Sequence, residues 1–205
     1  MLHILSFTPA WRSDAVLSAM FAARKRVFVD LLGWNVPVAD EAFEVDEFDR
    51  PGAVYLVLTA PDGRHHASAR LLPTDRPHLL DSLFADLCAT PPPTGPSIRE
   101  ITRFCLDRDL DARKRRCARN GLVSALVDHA LATGIATYTG VAELGWFRQI
   151  MTFGWECRAL GAPVRSMGQT LAAMRIDVAP DTPALLAGTG IYTAANRQPE
   201  VRHAA

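Results

Sequence analysis

Apolar and polar positions change their period several times along the chain, and each change marks an element. "LHILSF", residues 2–7, is a short apolar run of strand type. From about Asp14 to Leu32, the residues Leu17, Met20, Phe21, Arg24, Val27, Phe28 and Leu31 recur at the spacing of one helix face. Ser13 or Asp14 can cap its start and Gly33 can end it. The segment 35–53, "NVPVADEAFEVDEFDRPGA", is too rich in acids and breakers for regular structure and is expected as a loop. "VYLVLTA" and "HHASARLLP" read as strands joined through the turn residues "PDG", with His65 and His66 exposed at that turn.

Beyond the hairpin, "HLLDSLFADL" predicts a short helix. "TPPPTGP" is a connection rather than a domain linker, because strand-like sequence resumes at once in "SIREITRFCLD". A long helix is predicted near Cys117 to Thr133, with Leu122, Leu126, Val127 and Ala130 on one face. After Gly134 come a strand ("IATYTGV"), a helix ("ELGWFRQIMTF"), a strand ("WECRAL") and a closing strand ("LAAMRIDV"). An early hairpin and later strand–helix–strand alternation, without repeats, predict an α/β (α+β) chain. The expectation is a single domain over residues 1–195, a mixed twisted sheet with helices on both faces, and a flexible C-terminal tail over 196–205. Neither a Rossmann glycine fingerprint nor a phosphate-binding P-loop is present.

Composition narrows the chemistry only a little. The 205 residues can bury a substantial core, and 49% hydrophobic with 21% charged residues is ordinary for a globular protein. Lys+Arg and Asp+Glu balance at 22 each, which argues against nucleic-acid binding and makes any electrostatic message local. The 4 cysteines, Cys88, Cys105, Cys117 and Cys157, form no CxxC pair and have no metal-ligand spacing, so they are expected as incidental thiols and no metal is expected. The start "MLHILSFTPAWRSD" lacks the basic flank and long apolar run of a signal peptide. Nothing approaches the ~18 apolar residues of a membrane span. A cytoplasmic location follows as the default.

Charge is concentrated at particular places. The acidic segment holds Glu41, Glu44, Asp46, Glu47 and Asp49, either as a solvated loop or with some carboxylates turned inward beside Arg24, whose guanidinium can fork onto them. In "SIREITRF", strand alternation sends Arg99, Ile101 and Arg103 one way and Ile98, Glu100 and Thr102 the other. Together with Arg70 in "SARLLP", these are charges set in strands. They are either edge residues and a structural ion-pair network, or a converging cleft with a carboxylate as general base. "RKRRCAR" packs Arg113, Lys114, Arg115, Arg116 and Arg119 into a helix-entry loop, either a solvated face or a place for phosphate or an acidic partner. The aromatic residues fit a core, with Trp34 set apart at a helix–loop edge.

The order Arg24, Phe28, Trp34, Asp46, Asp49, Arg70, Phe84, Glu100, Arg103 resembles the acyl-homoserine-lactone synthases, the autoinducer synthases of bacterial quorum sensing. "RVFVDLLGW", "EVDEFDRPGAVYLV", "ARLLPTDRPHLLDSLF" and "REITRF" resemble that family's blocks, strongly over about 15–108 and more weakly to about 180. The resemblance implies a GCN5-type acetyltransferase-like fold. It also implies the reaction: an acyl thioester, on acyl carrier protein or coenzyme A, acylates the amine of S-adenosylmethionine. The methionyl carboxylate then closes the lactone and expels methylthioadenosine. S-adenosylmethionine is a substrate, and no cofactor is implied.

On that resemblance Glu100 is the base, Asp46 holds or helps to deprotonate the amine, and Arg103 and Arg24 bind S-adenosylmethionine by organising the carboxylates and the substrate's carboxyl group. Phe28 and Trp34 wall the adenosylmethionine pocket, where a sulfonium gains from an aromatic face. Asp49, Arg70 and Phe84 support the site, and Phe104, Gly140 and Trp146 are candidates for the acyl-chain pocket. Arg113, Lys114, Arg115, Arg116 and Arg119 would meet an acidic carrier protein or the phosphates of coenzyme A.

The chain departs from the family pattern in places. Arg99 and Thr102 stand where a tryptophan and a serine are common. Makers of 3-oxo chains tend to have a threonine at the position aligned with Gly140, so its absence points to an unsubstituted or 3-hydroxy chain. The competing reading is an acetyltransferase-like N-acyltransferase acting on a different amine.

Overall fold

The computed structural model describes residues 1–166 and 168–192, and the backbone alone of 200–202. In chain order the strands are β1 (Leu2–Ser6), β2 (Val38–Ala39), β3 (Phe43–Glu44), β4 (Val54–Thr59), β5 (His65–Pro73), β6 (Ile98–Leu106), β7 (Thr137–Glu143), β8 (Glu156–Ala159), β9 (Val164–Ser166), β10 (Gln169–Asp177) and β11 (Glu200–Arg202). The α-helices are α1 (Ala15–Arg24), α2 (Leu79–Ser82), α3 (Ala112–Thr133), α4 (Leu144–Met151) and α5 (Thr182–Gly188). Two compact units share them. The first takes Met1–Arg70, Arg103–Ala125 and the chain end; the second takes Leu71–Thr102 and Leu126–Thr193.

In the first unit β1 pairs antiparallel with β4, from Leu2 opposite Leu58 to Ser6 opposite Val54. Its other edge meets β11 in parallel, with His3 opposite Glu200. The rest of the expected loose tail, 196–199 and 203–205, lies outside the described residues. Asp14, not Ser13, caps α1, its Oδ1 accepting from the amides of Val16 and Leu17. Leu17, Met20, Phe21, Tyr55, Leu56, Val57 and Cys105 are buried in this unit. Past Arg24 the helix widens into a π-helical turn over Lys25–Leu31, a geometry common at functional sites, and Gly33 at φ 67 ends it.

Three expectations are corrected in this unit. The acidic segment is not all loop: β2 and β3 form a small hairpin, with Val38 opposite Glu44. Its turn uses Asp40 and Glu41 in the left-handed region, at φ 50 and 56, so no glycine announces it. His65 is not exposed; it opens β5 with 2% exposure, its Nε2 2.9 Å from the Ser68 hydroxyl. The basic run is not an entry loop, because α3 begins at Ala112 and Arg113–Arg119 form its first turns.

The second unit has a mixed ladder. β6 and β7 run parallel, Glu100 beside Thr139 and Ile101 beside Gly140. β10 is antiparallel to β7, β8 and β9. Leu80, Leu87 and Ala173 are buried with Phe84, Cys88, Val141, Leu160 and Leu171 packed on them. β9 and α5, neither foreseen in the sequence, belong here. Residue 103 breaks the alternation expected along β6, because Arg103 has φ 50 in the middle of that strand.

Candidate functional site

The first unit sets three arginines against three carboxylates. Arg24, at the end of α1, reaches Glu44 on β3 with Nε and forks onto Asp49 with Nη1 and Nη2, both at 2.9 Å. Arg70 on β5 forks onto Asp46, with Nη2 at 3.0 Å from Oδ2, and its Nη1 lies 2.8 Å from Asp49. Arg103 donates through Nη2 to Glu44 at 2.9 Å and to Asp46 at 2.7 Å, and its Nε also faces Glu44. Of the two outcomes open in the sequence, the acidic segment therefore turns Glu44, Asp46 and Asp49 inward, while Glu41 and Glu47 stay exposed.

These partners are not equivalent. Asp49 also accepts from the Tyr55 hydroxyl at 2.8 Å and from the Asp46 amide at 2.8 Å, so both its oxygens are saturated. Burial works to raise the Asp49 carboxyl, but Arg24 and Arg70 outweigh it and hold the group far below the usual carboxylate range. Asp46 follows the same balance: burial raises it, Arg70 and Arg103 lower it, and the net shift is downward. Burial likewise opposes the charge on Arg24 and Arg70, and the adjoining carboxylates more than restore it.

Arg103 is the member that opens outward. Its side chain is 9% exposed, against 1% for Arg24 and 0% for Arg70. Its carboxylate bonds use Nε and Nη2, leaving the Nη1 edge of the fork outside the network. The guanidinium also lies 5.6 Å from the Phe28 ring and 5.7 Å from Trp34. Those rings stack on each other at 4.7 Å and 17°. The π-helical turn makes this possible by carrying Phe28 and then closing with the Trp34 amide on the Phe28 carbonyl at 2.8 Å. The result is an aromatic wall beside a cation whose counter-ions are fixed behind it. Such a surface can take a carboxylate on the guanidinium edge and a soft cation on the rings.

Glu100 sits in the second unit and is fully buried. Its Oε2 accepts from the Leu79 amide at 2.8 Å and its Oε1 from the Leu80 amide at 3.2 Å. Each oxygen thus meets one amide of the same turn, which fixes the plane and direction of the carboxylate. Phe84 packs on the apolar cluster of the same unit. Trp146, half-buried on α4, meets Phe153 edge-on at 5.8 Å, and Phe104 is half-buried on β6. Gly140 is required by the strand pairing, because a Cβ there would come within 2.9 Å of the Ile101 carbonyl oxygen. A threonine at that position would not fit. The neighbouring Thr139, however, has a buried hydroxyl without a hydrogen-bond partner.

The basic side chains from Arg113 to Arg116 are exposed on α3. Arg115 donates to the carbonyls of Arg108 and Leu110, and Lys114 pairs with Asp111 at 3.5 Å. Arg119 reaches the Asn120 side chain. Burial, and then Arg116, lower its pKa. Sequence reasoning passed over Tyr55 and Thr139, and held Glu44 only as one of the acids that could turn inward. Glu44 is the instructive one: within an acidic run only the hairpin turn tells it from Glu41, and that turn has no sequence signal. No cluster of metal-ligating side chains occurs among the described residues, and no helix there is long and apolar enough to cross a membrane.

The mixed sheet and its helices define the fold of the N-acyltransferases. A putative N-acetyltransferase from Lactobacillus plantarum shares it at TM-score 0.56 and 22% identity, covering 87% of this chain and 98% of that one. The sequence signature described as autoinducer synthase matches residues 9–183, and the chain belongs to that family of acyltransferases. It is similar to the acyl-homoserine-lactone synthase of Ralstonia nicotianae, 35% identical over 181 residues, which cover 84% of this chain and 87% of the relative. Among solved structures it resembles a CoA-dependent acyl-homoserine lactone synthase solved with SAM and isopentyl-CoA, at TM-score 0.82 and 25% identity over 100% of this chain and 93% of that one.

Proposed function

We propose that this chain makes an acyl-homoserine lactone from S-adenosylmethionine and an acyl thioester, as a cytoplasmic source of a quorum-sensing signal. The observation that carries the reading is Arg103, pinned from behind by Glu44 and Asp46, lying against the Phe28–Trp34 stack, and presenting a free guanidinium edge. A methionyl carboxylate fits that edge, and a sulfonium fits the aromatic wall. Arg24 lies too deep to meet substrate, so it orients Glu44 and Asp49 instead.

The first step forms the amide. The substrate ammonium loses one proton and its nitrogen attacks the thioester carbonyl; the nitrogen loses a second proton as the tetrahedral intermediate expels the thiolate, which takes one proton up. One proton is released overall. Glu100, a buried carboxylate aimed by the Leu79 and Leu80 amides, takes the proton from nitrogen, directly or through water. Asp46, held ionised by Arg70 and Arg103, suits holding the ammonium better than accepting its proton. In the second step the carboxylate attacks its own γ-carbon and breaks the carbon–sulfur bond. A neutral thioether, methylthioadenosine, leaves, and no proton moves.

The acyl chain lies against the apolar cluster of Leu80, Phe84, Val141, Leu160 and Leu171. Thr139, rather than Gly140, carries the hydroxyl able to meet an oxygen at C3. Arg113 and Arg116 offer charge to the donor, whether an acidic carrier protein or the phosphates of coenzyme A. No cofactor enters this chemistry. Mass analysis of lactones extracted from the medium of a bacterium expressing the chain tests the reading. Acyl-homoserine lactones absent from the empty host are expected, and their masses give chain length and C3 substitution. N-acylated amines without any lactone would favour the other acyltransferase reading.

A further inference from the structure

His78 begins the turn that holds Glu100, and its side chain is wholly buried. Its Nδ1 lies 3.0 Å from the Arg76 carbonyl oxygen and 3.2 Å from Asp81 Oδ2. The ring also faces the Asp81 amide in a capping box, so the polar contacts of the imidazole all belong to this one turn. Its Nε2 is buried and has no hydrogen-bond partner. The imidazole is therefore fastened from one side only. The same turn is closed twice more: the His78 amide donates to Asp81 Oδ1 at 2.8 Å, and the Ser82 hydroxyl donates to the His78 carbonyl. The next two amides along the chain, Leu79 and Leu80, are the ones that grip the two oxygens of Glu100.

We infer that His78 is a positioning residue for the reaction, acting through Glu100: its Nδ1 contacts with Arg76 and Asp81 fix the turn whose amides aim the Glu100 carboxylate. The inference rests on Glu100 being the base. A carboxylate aimed by two amides of one turn shifts when the turn shifts, and a displacement near 1 Å can lower a rate about a hundredfold. Because Nε2 bonds to nothing, only the Nδ1 side of the ring matters. Asparagine, whose side-chain amide places a polar atom at the Nδ1 position, should replace His78; glutamine, which places one at the Nε2 position, should not.

The test measures steady-state kinetics with S-adenosylmethionine and an acyl thioester for His78→Ala, His78→Asn, His78→Gln, Glu100→Gln and the double variant His78→Ala/Glu100→Gln. His78→Ala should lower kcat about ten- to a hundredfold with KM for S-adenosylmethionine changed by less than about threefold. His78→Asn should recover most of the loss, and His78→Ala should add nothing to Glu100→Gln. Full turnover in His78→Ala, multiplied losses in the double variant, or recovery by glutamine but not asparagine would each overturn the inference. If His78→Ala does not fold, Asp81→Ala, at a part-exposed side chain, is read by the same criteria. Undiminished turnover in Glu100→Gln sinks the base assignment itself, an outcome separate from a slow Glu100→Gln beside a full-speed His78→Ala.

Discussion

Arg103 uses the two edges of its guanidinium differently, and only an arginine can do so. Lysine supplies one compact charge without the planar fork. Arg103→Lys should therefore bind S-adenosylmethionine about tenfold more weakly or worse, as calorimetric titration would show, while a melting curve confirms that the fold persists. Glu44 is a different case. It is fully buried between Arg24 and Arg103, and Glu44→Ala leaves the buried Arg24 Nε without its acceptor and the two arginines with one counter-charge fewer. A loss of about 3 kcal/mol or more is expected, measurable by denaturant unfolding. His65 adds a pH dependence. Burial pushes its imidazole down from 6.5 to about 4, with Asp107 opposing and Arg26 and His66 adding to the shift. The unfolded chain then binds a proton that the folded chain refuses. The stability is complete above about pH 6.5 and falls progressively toward pH 4, and His65→Gln should flatten that slope in a pH series of melting temperatures.

At the residue scale the sequence was informative wherever a charged side chain interrupted an apolar run. Arg24, Arg70 and Arg103 stood out in that way, and the structure brings them together. Glu44 did not stand out because acids surround it. Tyr55 did not because a tyrosine in a strand is ordinary until its hydroxyl meets Asp49.

Among elements, periodicity located the strong ones. β5 falls on "HHASARLLP", and α1 follows the expected apolar face from its Asp14 cap. Short elements were lost because two- and three-residue strands such as β3 and β9 have too few positions to show a period. The hairpin of β2 and β3 was also concealed by its turn, which places Asp40 and Glu41 in a conformation costly for both. Glu41 is exposed, and Glu41→Gly should stabilise the chain by up to ~1 kcal/mol, read from chemical denaturation. In α3 the exposed Arg113 and Arg116 make a separate prediction. Reversing both to glutamate should slow turnover with an acidic acyl carrier protein, and added salt should shrink the difference from the unmodified chain.

For the whole molecule, patterning gave the mixed sheet, and the family followed from blocks of residues spread along the chain. Similarity to known synthases over 84% of its length agrees with that. What patterning could not give is the side-chain wiring of each unit: a charge network with one outward-opening guanidinium in the first, and a carboxylate aimed by the turn at α2 in the second. Side-chain hydrogen bonds between residues far apart in sequence decide both, and no local period encodes them. The central claim is that one S-adenosylmethionine is acylated and then cleaved by its own carboxylate. Its most direct test is the ratio of methylthioadenosine to acyl-homoserine lactone formed by the purified chain from S-adenosylmethionine and an acyl thioester. Equal amounts of the two products, neither forming when either substrate is omitted, is the predicted result. Acylated product without methylthioadenosine, or methylthioadenosine without acyl donor, would contradict the account.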